Sequence, residues 1–277
     1  HLVSATLHQP KHAGYTTVEL DVVADREAML ALDEWAFSFA WAPETLEALR
    51  FPLPAGRTVG ITHVASGELA ALHGSYEFAL AVPGAEVAAA GLTWVGVHPG
   101  HRRRGLASAM LTTHLARTAE RNEAVSVLFA AEPEIYGRFG YGAAALNVRA
   151  DLPRGTALRP VAGTQELTCS LETLDPLVHG RMWCELLAAS PRPGRVIPSP
   201  DLLHNLLMDT GPRRGTGEVR RAAVVRDSSG TVRAFAALQR TEEWGDAGPA
   251  GKVAVFASQA ADGAASAVLW RTLTDLD

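Results

Sequence analysis

A chain of 277 residues is longer than one hydrophobic core usually serves, since domains cluster at roughly 100–150 residues, so the length favours two domains. With 47% hydrophobic and 20% charged residues the composition excludes a mainly disordered chain, and no run approaches the ~20 apolar residues of a membrane helix, so a soluble protein is expected. A net charge of −5 excludes a general polyanion binder, which leaves nucleic acid and membrane off the expected partners and makes any basic site local.

The first residues, His-Leu-Val-Ser, carry neither a methionine nor the charged start and apolar centre of a secretory signal. Residues 16–22 alternate like a half-buried strand, and Asp25 stands where it would cap a helix reaching residue 39. Pro43 suits the first position of a short helix over 43–49. Three extended segments follow, 58–65, 68–81 and 86–97, parted by Ser66-Gly67 and Pro83-Gly84, which predicts an antiparallel meander. Pro99-Gly100 breaks the last strand. From Gly105, the residues Leu106, Met110, Leu111 and Leu115 recur at helical spacing to about 121. A strand over 124–130, a brief helix over 134–139 and a closing strand over 144–150 complete a mixed sheet with helices packed on it. The expected fold class is α+β or mixed α/β, with a first domain of residues 1–150.

Residues 151–155 read as a linker to a second domain, 151–277. Its expected elements are a strand over 158–161 weakened by Pro160, helices over 172–189 and 200–208, and a hairpin through Asp227-Ser-Ser-Gly between strands 222–226 and 231–238. A strand over 252–258 and a helix over 264–276 end it. The order repeats the first domain without its glycine-rich turn, so a degenerate copy is expected. Cys169 and Cys184 are too few for a disulfide scaffold and too far apart for a CxxC pair, which predicts buried thiols and a reducing cytoplasm.

Chemistry concentrates between Trp94 and Ser108, where a buried strand turns into a helix whose first turn carries Arg102, Arg103 and Arg104. Cations at a helix N-terminus oppose its partial positive charge at a cost of a few tenths to ~1 kcal/mol each. A docked anion reverses that sign, because backbone N–H groups, dipole and guanidinium groups then all face negative oxygens. Gly105 suits close backbone approach and Ala107 keeps the next position small, so the segment reads as a pyrophosphate cradle. The Gly100–Gly105 spacing mimics a P-loop, but Leu106 and Ala107 stand where that motif needs lysine and a hydroxyl, and no GxGxxG is present.

These residues carry a resemblance. Val95-x-Val97-x-Pro99 followed by Arg102-x-x-Gly105-x-Ala107 resembles the acetyl-coenzyme A motif of the GNAT N-acetyltransferase superfamily, and Ile135-Tyr-Gly-Arg-Phe-Gly-Tyr-Gly142 resembles the signature of its Eis (enhanced intracellular survival) family. The resemblance implies a GNAT fold, a second GNAT-like domain and acetyl-CoA as co-substrate, with no metal. It implies a cofactor site at Val95, Gly96, Val97, Arg102, Arg103, Arg104, Gly105, Leu106, Ala107, Ser108, Ala131 and Glu132. Gly96 suits a bulge or a close backbone approach, and a backbone N–H at Val95 or Val97 would polarise the thioester carbonyl.

Tyr136 corresponds to the family's general acid, a phenol able to protonate the departing thiolate, and Tyr141 reads as structural. The substrate wall would be Trp35, Phe37, Phe39 and Trp41, with Glu34 and Glu44 attracting cations. The carboxylate that relatives place among these aromatics has no match at 37–41. The family's base is the C-terminal carboxylate of a third, sterol-carrier-like domain. This chain stops at Asp277 inside a helix, so that domain is expected to be missing: either the chain is a fragment without its base, or Glu132, Glu134, His98 or His101 substitutes. The two histidines read more as surface residues than as bases. The expected function is acetyl transfer to an amine (aminoglycoside, polyamine or lysine side chain) by a homohexamer, against the alternative of a non-catalytic coenzyme A sensor or assembly module.

Overall fold

Tyr15–Glu19 forms β1, and Arg26–Phe37 forms α1, which buries Met29 and Leu32 one turn apart. Asp25 stands at the helix start, but its carboxylate accepts the Asp21 N–H (2.8 Å) and no side chain caps α1. Ser38 is left-handed at φ 59°, which ends the helix two residues before the expected stop and puts Phe39 beyond it. The computed structural model describes residues 13–130, 132–146, 148–190, 192–215, 217–245 and 248–276. They fall in two compact units. One takes in His1–Trp41 (described from Ala13), Phe51–Leu146 and Pro193–Val196, and the other Ala42–Arg50, Asn147–Arg192 and Ile197–Asp277.

In the first unit the meander is present as β2 (Thr58–His63), β3 (Leu69–Val82) and β4 (Ala85–Val97), each antiparallel to the next. The helix here designated α3 (Leu106–Glu120) follows, because Pro43–Ala48, counted as α2, belongs to the second unit. Then β5 (Val125–Val127) returns parallel to β4, giving the order β1-β2-β3-β4-β5. Adjacent residues of β3 point to opposite faces: Leu72 joins Met29 and Leu32 under α1, while Ala71 joins Leu106 and Met110 under α3. A buried ion pair, Arg57 Nη1 to Glu123 Oε1 at 2.6 Å, ties the start of β2 to the residues just past α3.

Three expectations for this unit are corrected. The strand over 124–130 keeps only its first half, and the brief helix over 134–139 is two 3-10 turns, Pro133–Ile135 and Gly137–Phe139. Residues 144–146 and 148–150 are irregular, with Leu146 90% and Val148 89% exposed, and Asn147 lies outside the described residues. Their alternation supplies strand propensity, but β5 ends at Val127 and offers no ladder to extend.

The second unit holds α2, β6 (Thr168–Thr173), α4 (Pro176–Ala189), α5 (Pro200–Leu207) and α6 (Gly211–Arg214), with the two-residue β7 (Val196–Ile197) at the boundary. It continues through β8 (Arg221–Arg226), β9 (Val232–Thr241), the short pair β10 (Trp244–Gly245) and β11 (Gly248–Pro249), β12 (Lys252–Ala260) and α7 (Gly263–Thr274). Its sheet, β12-β9-β8-β6, is wholly antiparallel. Val224 and Phe235 pack with Leu186 and Leu207 on one face, and Val225 and Ala236 with Leu269 on the other. No strand forms at 158–161; the first strand is β6, which takes in Glu172 and Thr173, two residues expected in the following helix. Asp175 marks the true helix start, accepting N–H bonds from Leu177 (2.8 Å) and Val178 (3.1 Å). Cys169 and Cys184 are free and half-buried rather than buried, and desolvation pushes both thiols up.

Candidate active site

Strands β4 and β5 pair only through Ala89–Gly91 and Val125–Val127, so the last six residues of β4 run on without a neighbour on that side among the described residues. A bulge marks the parting. His73 of β3 faces both Trp94 and Val95, and Trp94 adopts φ 54°. His98 N–H donates to Ala70 O (2.9 Å), which turns the Val97 N–H and C=O to the open edge. An extended ligand can therefore add to β4 as a strand would. Gly96 has a different reason: a Cβ there would meet Ala36 Cβ at 3.1 Å, so the close approach is made by α1.

The open edge leads into the start of α3. Gly105 sits at φ 76° and Arg103 at φ 60°, and no side chain caps the helix, so the N–H groups of Leu106, Ala107 and Ser108 keep their donors available. Left-handed residues alternating with ordinary ones make a concavity of N–H groups suited to an anion, and Arg103 and Arg104 are exposed beside it. Arg102 is exposed but partly engaged, with Nη2 donating to Ala36 O at 3.2 Å. This donor set fits a pyrophosphate. Ser108 Oγ accepts from Arg138 (3.4 Å), which links the cradle to the segment around Tyr136.

A cluster the sequence did not suggest holds the turn in place. Glu68 Oε2 meets His101 Nε2 at 3.1 Å, Glu68 Oε1 meets His98 Nε2 at 3.5 Å, and Tyr15 Oη meets His101 Nδ1 at 2.8 Å. The Gly100 N–H donates to His98 Nδ1 (3.1 Å), which leaves the ring proton on Nε2, facing Glu68. Glu68, His98 and His101 bring possible ligand atoms within 4.8 Å of one another, but in that tautomer the His98 Nε2 that faces the cluster carries a proton, and the ring's lone pair on Nδ1 is taken by the Gly100 N–H. The trio works as a hydrogen-bonded clamp. His101 is buried and His98 half-buried, so neither is the surface residue expected. The His101 bond holds the Glu68 carboxyl below its ordinary value.

The two tyrosines meet edge to face, ring centres 5.7 Å apart. Tyr141 Oη is hydrogen-bonded to Ser126 Oγ (2.6 Å), which in turn meets His114 Nε2 (2.8 Å). Tyr136 has no hydroxyl partner among the described residues, so the phenol free to donate is Tyr136. Burial, with Glu132 adding to it, pushes Tyr136 up and keeps it protonated. Glu132 and Glu134 are exposed, and Ala131 lies outside the described residues. Behind Tyr141 lies an unusual pair: His114 and His73 pack edge to face at 5.5 Å, each with an unpartnered buried Nδ1. Desolvation lowers His114 to about 4 and His73 to about 3.

The aromatics of α1 and of the residues just past it are not core. Trp35 is 61% exposed, Phe37 50% and Phe39 41%. Trp35 stacks edge-on to His98, and Phe39 to Trp41, at the end of α1 nearest the cradle. Glu34 Oε1 accepts the Trp41 N–H (2.7 Å), while Glu44 lies in the second unit.

The acetyltransferase (GNAT) domain family matches residues 23–144. An uncharacterised N-acetyltransferase of Streptomyces coelicolor is 34% identical over 242 residues, 84% of this chain and 57% of that protein. N-acetyltransferase Eis of Mycobacterium bovis is 38% identical over 123 residues, 43% of this chain and 31% of that protein. The crystal structure of Eis1 from Mycobacterium abscessus superposes with a TM-score of 0.69 at 25% identity, covering 95% of this chain and 63% of that one. The chain spans about half the length of the curated relatives it matches.

Proposed function

The chain belongs to the GNAT N-acetyltransferase superfamily, in its Eis family, and from that premise we propose that it moves the acetyl group of acetyl-CoA to an amine within a ternary complex. The observation that carries this reading is the unpaired edge of β4 running into an uncapped, arginine-flanked start of α3. The pantetheine arm adds to that edge, the N–H groups of 106–108 with Arg103 and Arg104 hold the pyrophosphate, and the Val97 N–H polarises the thioester carbonyl. Tyr136 protonates the leaving thiolate. The acceptor approaches along Trp35, Phe37, Phe39 and Trp41, and its class, whether aminoglycoside, polyamine or lysine side chain, is part of the proposal. So are the cytoplasmic location and the homohexamer. No helix among the described residues is long and apolar enough to cross a membrane.

Isothermal titration should show coenzyme A binding, weakened tenfold or more in Arg103→Ala, the ~1.4 kcal/mol expected of a lost phosphate contact. Tyr136→Phe should lower kcat for amine acetylation by about a hundredfold while coenzyme A affinity holds. No binding by the unmodified chain overturns the reading, and binding without turnover on any amine favours a coenzyme A sensor.

A further inference from the structure

Three histidines gather where β4 turns into α3, and their surroundings do not treat a proton alike. Imidazole is the side chain whose charge changes between about pH 5 and pH 8, and the added proton turns a lone pair into a donor. His101 Nδ1 faces the Tyr15 hydroxyl (2.8 Å) and His63 Nδ1 faces the Ser66 hydroxyl (2.9 Å). A hydroxyl donates to a bare nitrogen and accepts from a protonated one, so both contacts survive protonation. His98 Nδ1 instead faces the Gly100 N–H (3.1 Å), a donor that cannot reverse. A proton on that nitrogen sets two N–H groups against each other.

This contact is the N-terminal cap of the 3-10 turn Pro99–His101. Ser, Thr, Asp and Asn ordinarily make such caps, with oxygens that remain acceptors at neutral pH. Here the cap is an imidazole. The turn it closes leads directly to Arg102 and to the left-handed Arg103 and Gly105 of the cradle. The same ring lies edge-on to Trp35 of α1, ring centres 5.2 Å apart, and Arg102 Nη2 reaches the carbonyl of Ala36, the next residue of that helix (3.2 Å). We propose that His98 is a positioning residue that joins the phosphate cradle to the aromatic wall of α1 while its Nδ1 is bare, and releases both when that nitrogen is protonated. The assignment rests on the acetyl-transfer reading above, in which the cradle holds the pyrophosphate and the wall receives the acceptor.

The charged groups around His98 leave the switch at Nδ1. Glu68, just before β3, has Oε1 at 3.5 Å from His98 Nε2, which carries its proton in both states. The His101 bond holds the Glu68 carboxyl below its ordinary value, with His98 and His63 adding to it, so it stays an acceptor over the whole range. The His101 ring lies 5.6 Å from that of His98, and Tyr15 of β1 and His63 of β2 stand against His101. From α1 comes the uncharged Trp35, while Arg102 is turned to the Ala36 carbonyl.

The test separates the two ring nitrogens. Asparagine puts an oxygen that does not titrate at the place of Nδ1, whereas glutamine reaches the place of Nε2 and leaves the Gly100 N–H without its acceptor. Coenzyme A binding is measured by isothermal titration at pH 7.5 and pH 5.5. At pH 7.5 His98→Asn should bind within about twofold of the unmodified chain and His98→Gln about fivefold more weakly, the factor expected of a lost cap. At pH 5.5 the unmodified chain should fall to the level of His98→Gln, with His98→Asn about fivefold ahead of both. Titration of the ligand's phosphates and of the buried His73 and His114 is common to all three chains, so the comparison isolates His98. Independently of any ligand, an imidazolium quenches a neighbouring indole more than an imidazole does. The unmodified chain should therefore show a fluorescence step between pH 8 and pH 5 that both His98→Asn and Trp35→Phe remove. The role of His98 alone is overturned if the three chains share one pH dependence, if His98→Gln binds as well as the unmodified chain at pH 7.5, if acid tightens binding in the unmodified chain relative to His98→Asn, or if the fluorescence step survives His98→Asn. Absence of coenzyme A binding by the unmodified chain at both pH values overturns the acetyl-transfer reading and this role together.

Discussion

Two helices of this chain follow a sheet strand in the same way and begin in opposite ways. At α7 the carboxylate of Asp262 accepts the Ala265 N–H (2.8 Å) and pairs with Arg233, so the helix start carries its own anion. At α3 the corresponding place is Gly105 at φ 76°, with no capping side chain and arginines around it. A helix N-terminus needs negative charge near it, and a chain can supply that from its own side chains or leave the place for a ligand. The second unit has closed its helix start, and the first has kept it open. The sheets agree: β6, β8, β9 and β12 form one continuous antiparallel ladder, whereas β4 and β5 part after three residue pairs.

The largest expected difference between the units is their response to acid. Desolvation holds His73 and His114 of the first unit at about 3 and about 4, whereas the buried His179 of the second has Glu172 Oε2 at 3.4 Å. A histidine whose folded value lies below its unfolded value near 6.5 leaves stability unaffected above 6.5. Below that pH the unfolded chain takes up protons the folded chain refuses, and stability falls until the folded values are reached. Two such groups remove about 3 kcal/mol between pH 6.5 and 5, because the difference grows from half a proton each at pH 6.5 to nearly one at pH 5, at ~1.4 kcal/mol per proton per pH unit. Hydrogen exchange should therefore show β4 amides losing protection over that interval well before β9 amides. Parallel loss in both sheets would break the comparison.

How much of this was legible beforehand follows the range of the interactions. The meander, α3 and the Ala222 hairpin declare themselves through turn residues and periodicity, which are local. The cradle was legible because three arginines at a helix start conflict with the dipole unless something negative comes to them. The clamp was not, because Tyr15, Glu68, His98 and His101 lie on separate elements and meet only when β1, β3 and the β4–α3 turn are assembled. The strand expected over 144–150 failed because alternation states a preference and cannot name a partner.

A smaller effect tests the open helix start directly. Gly105→Glu would give α3 a carboxylate near the place where α7 has one, on a residue whose φ of 76° also disfavours any side chain. Coenzyme A affinity should fall at least tenfold, about 1.4 kcal/mol, from repulsion and a reshaped loop together. Retained affinity in isothermal titration would mean that the α3 start does not face the phosphates.

The smallest effect comes from opening the closed helix start. Asp262→Ala removes the N-cap acceptor and one of the two carboxylates paired with Arg233, leaving the α7 start with a positive end and no carboxylate of its own, while the guanidinium keeps Asp227 Oδ2 at 3.6 Å. Both groups are partly exposed, so water replaces most of what is lost and the cost should be about 1 kcal/mol, within the usual range for a lost cap. The loss should appear as faster exchange in the first turn of α7, with coenzyme A affinity unchanged. What makes the substitution informative is the choice it leaves to solution anions. If sulfate then restores α7 protection more in Asp262→Ala than in the unmodified chain, the second unit has been turned into a weak copy of the first. An anion site in this fold would then be only a helix start from which the chain has withheld its own carboxylate. If sulfate has no selective effect, the uncapped end is insufficient, and the left-handed turn and arginines of residues 102–105 are what make the first unit a receptor.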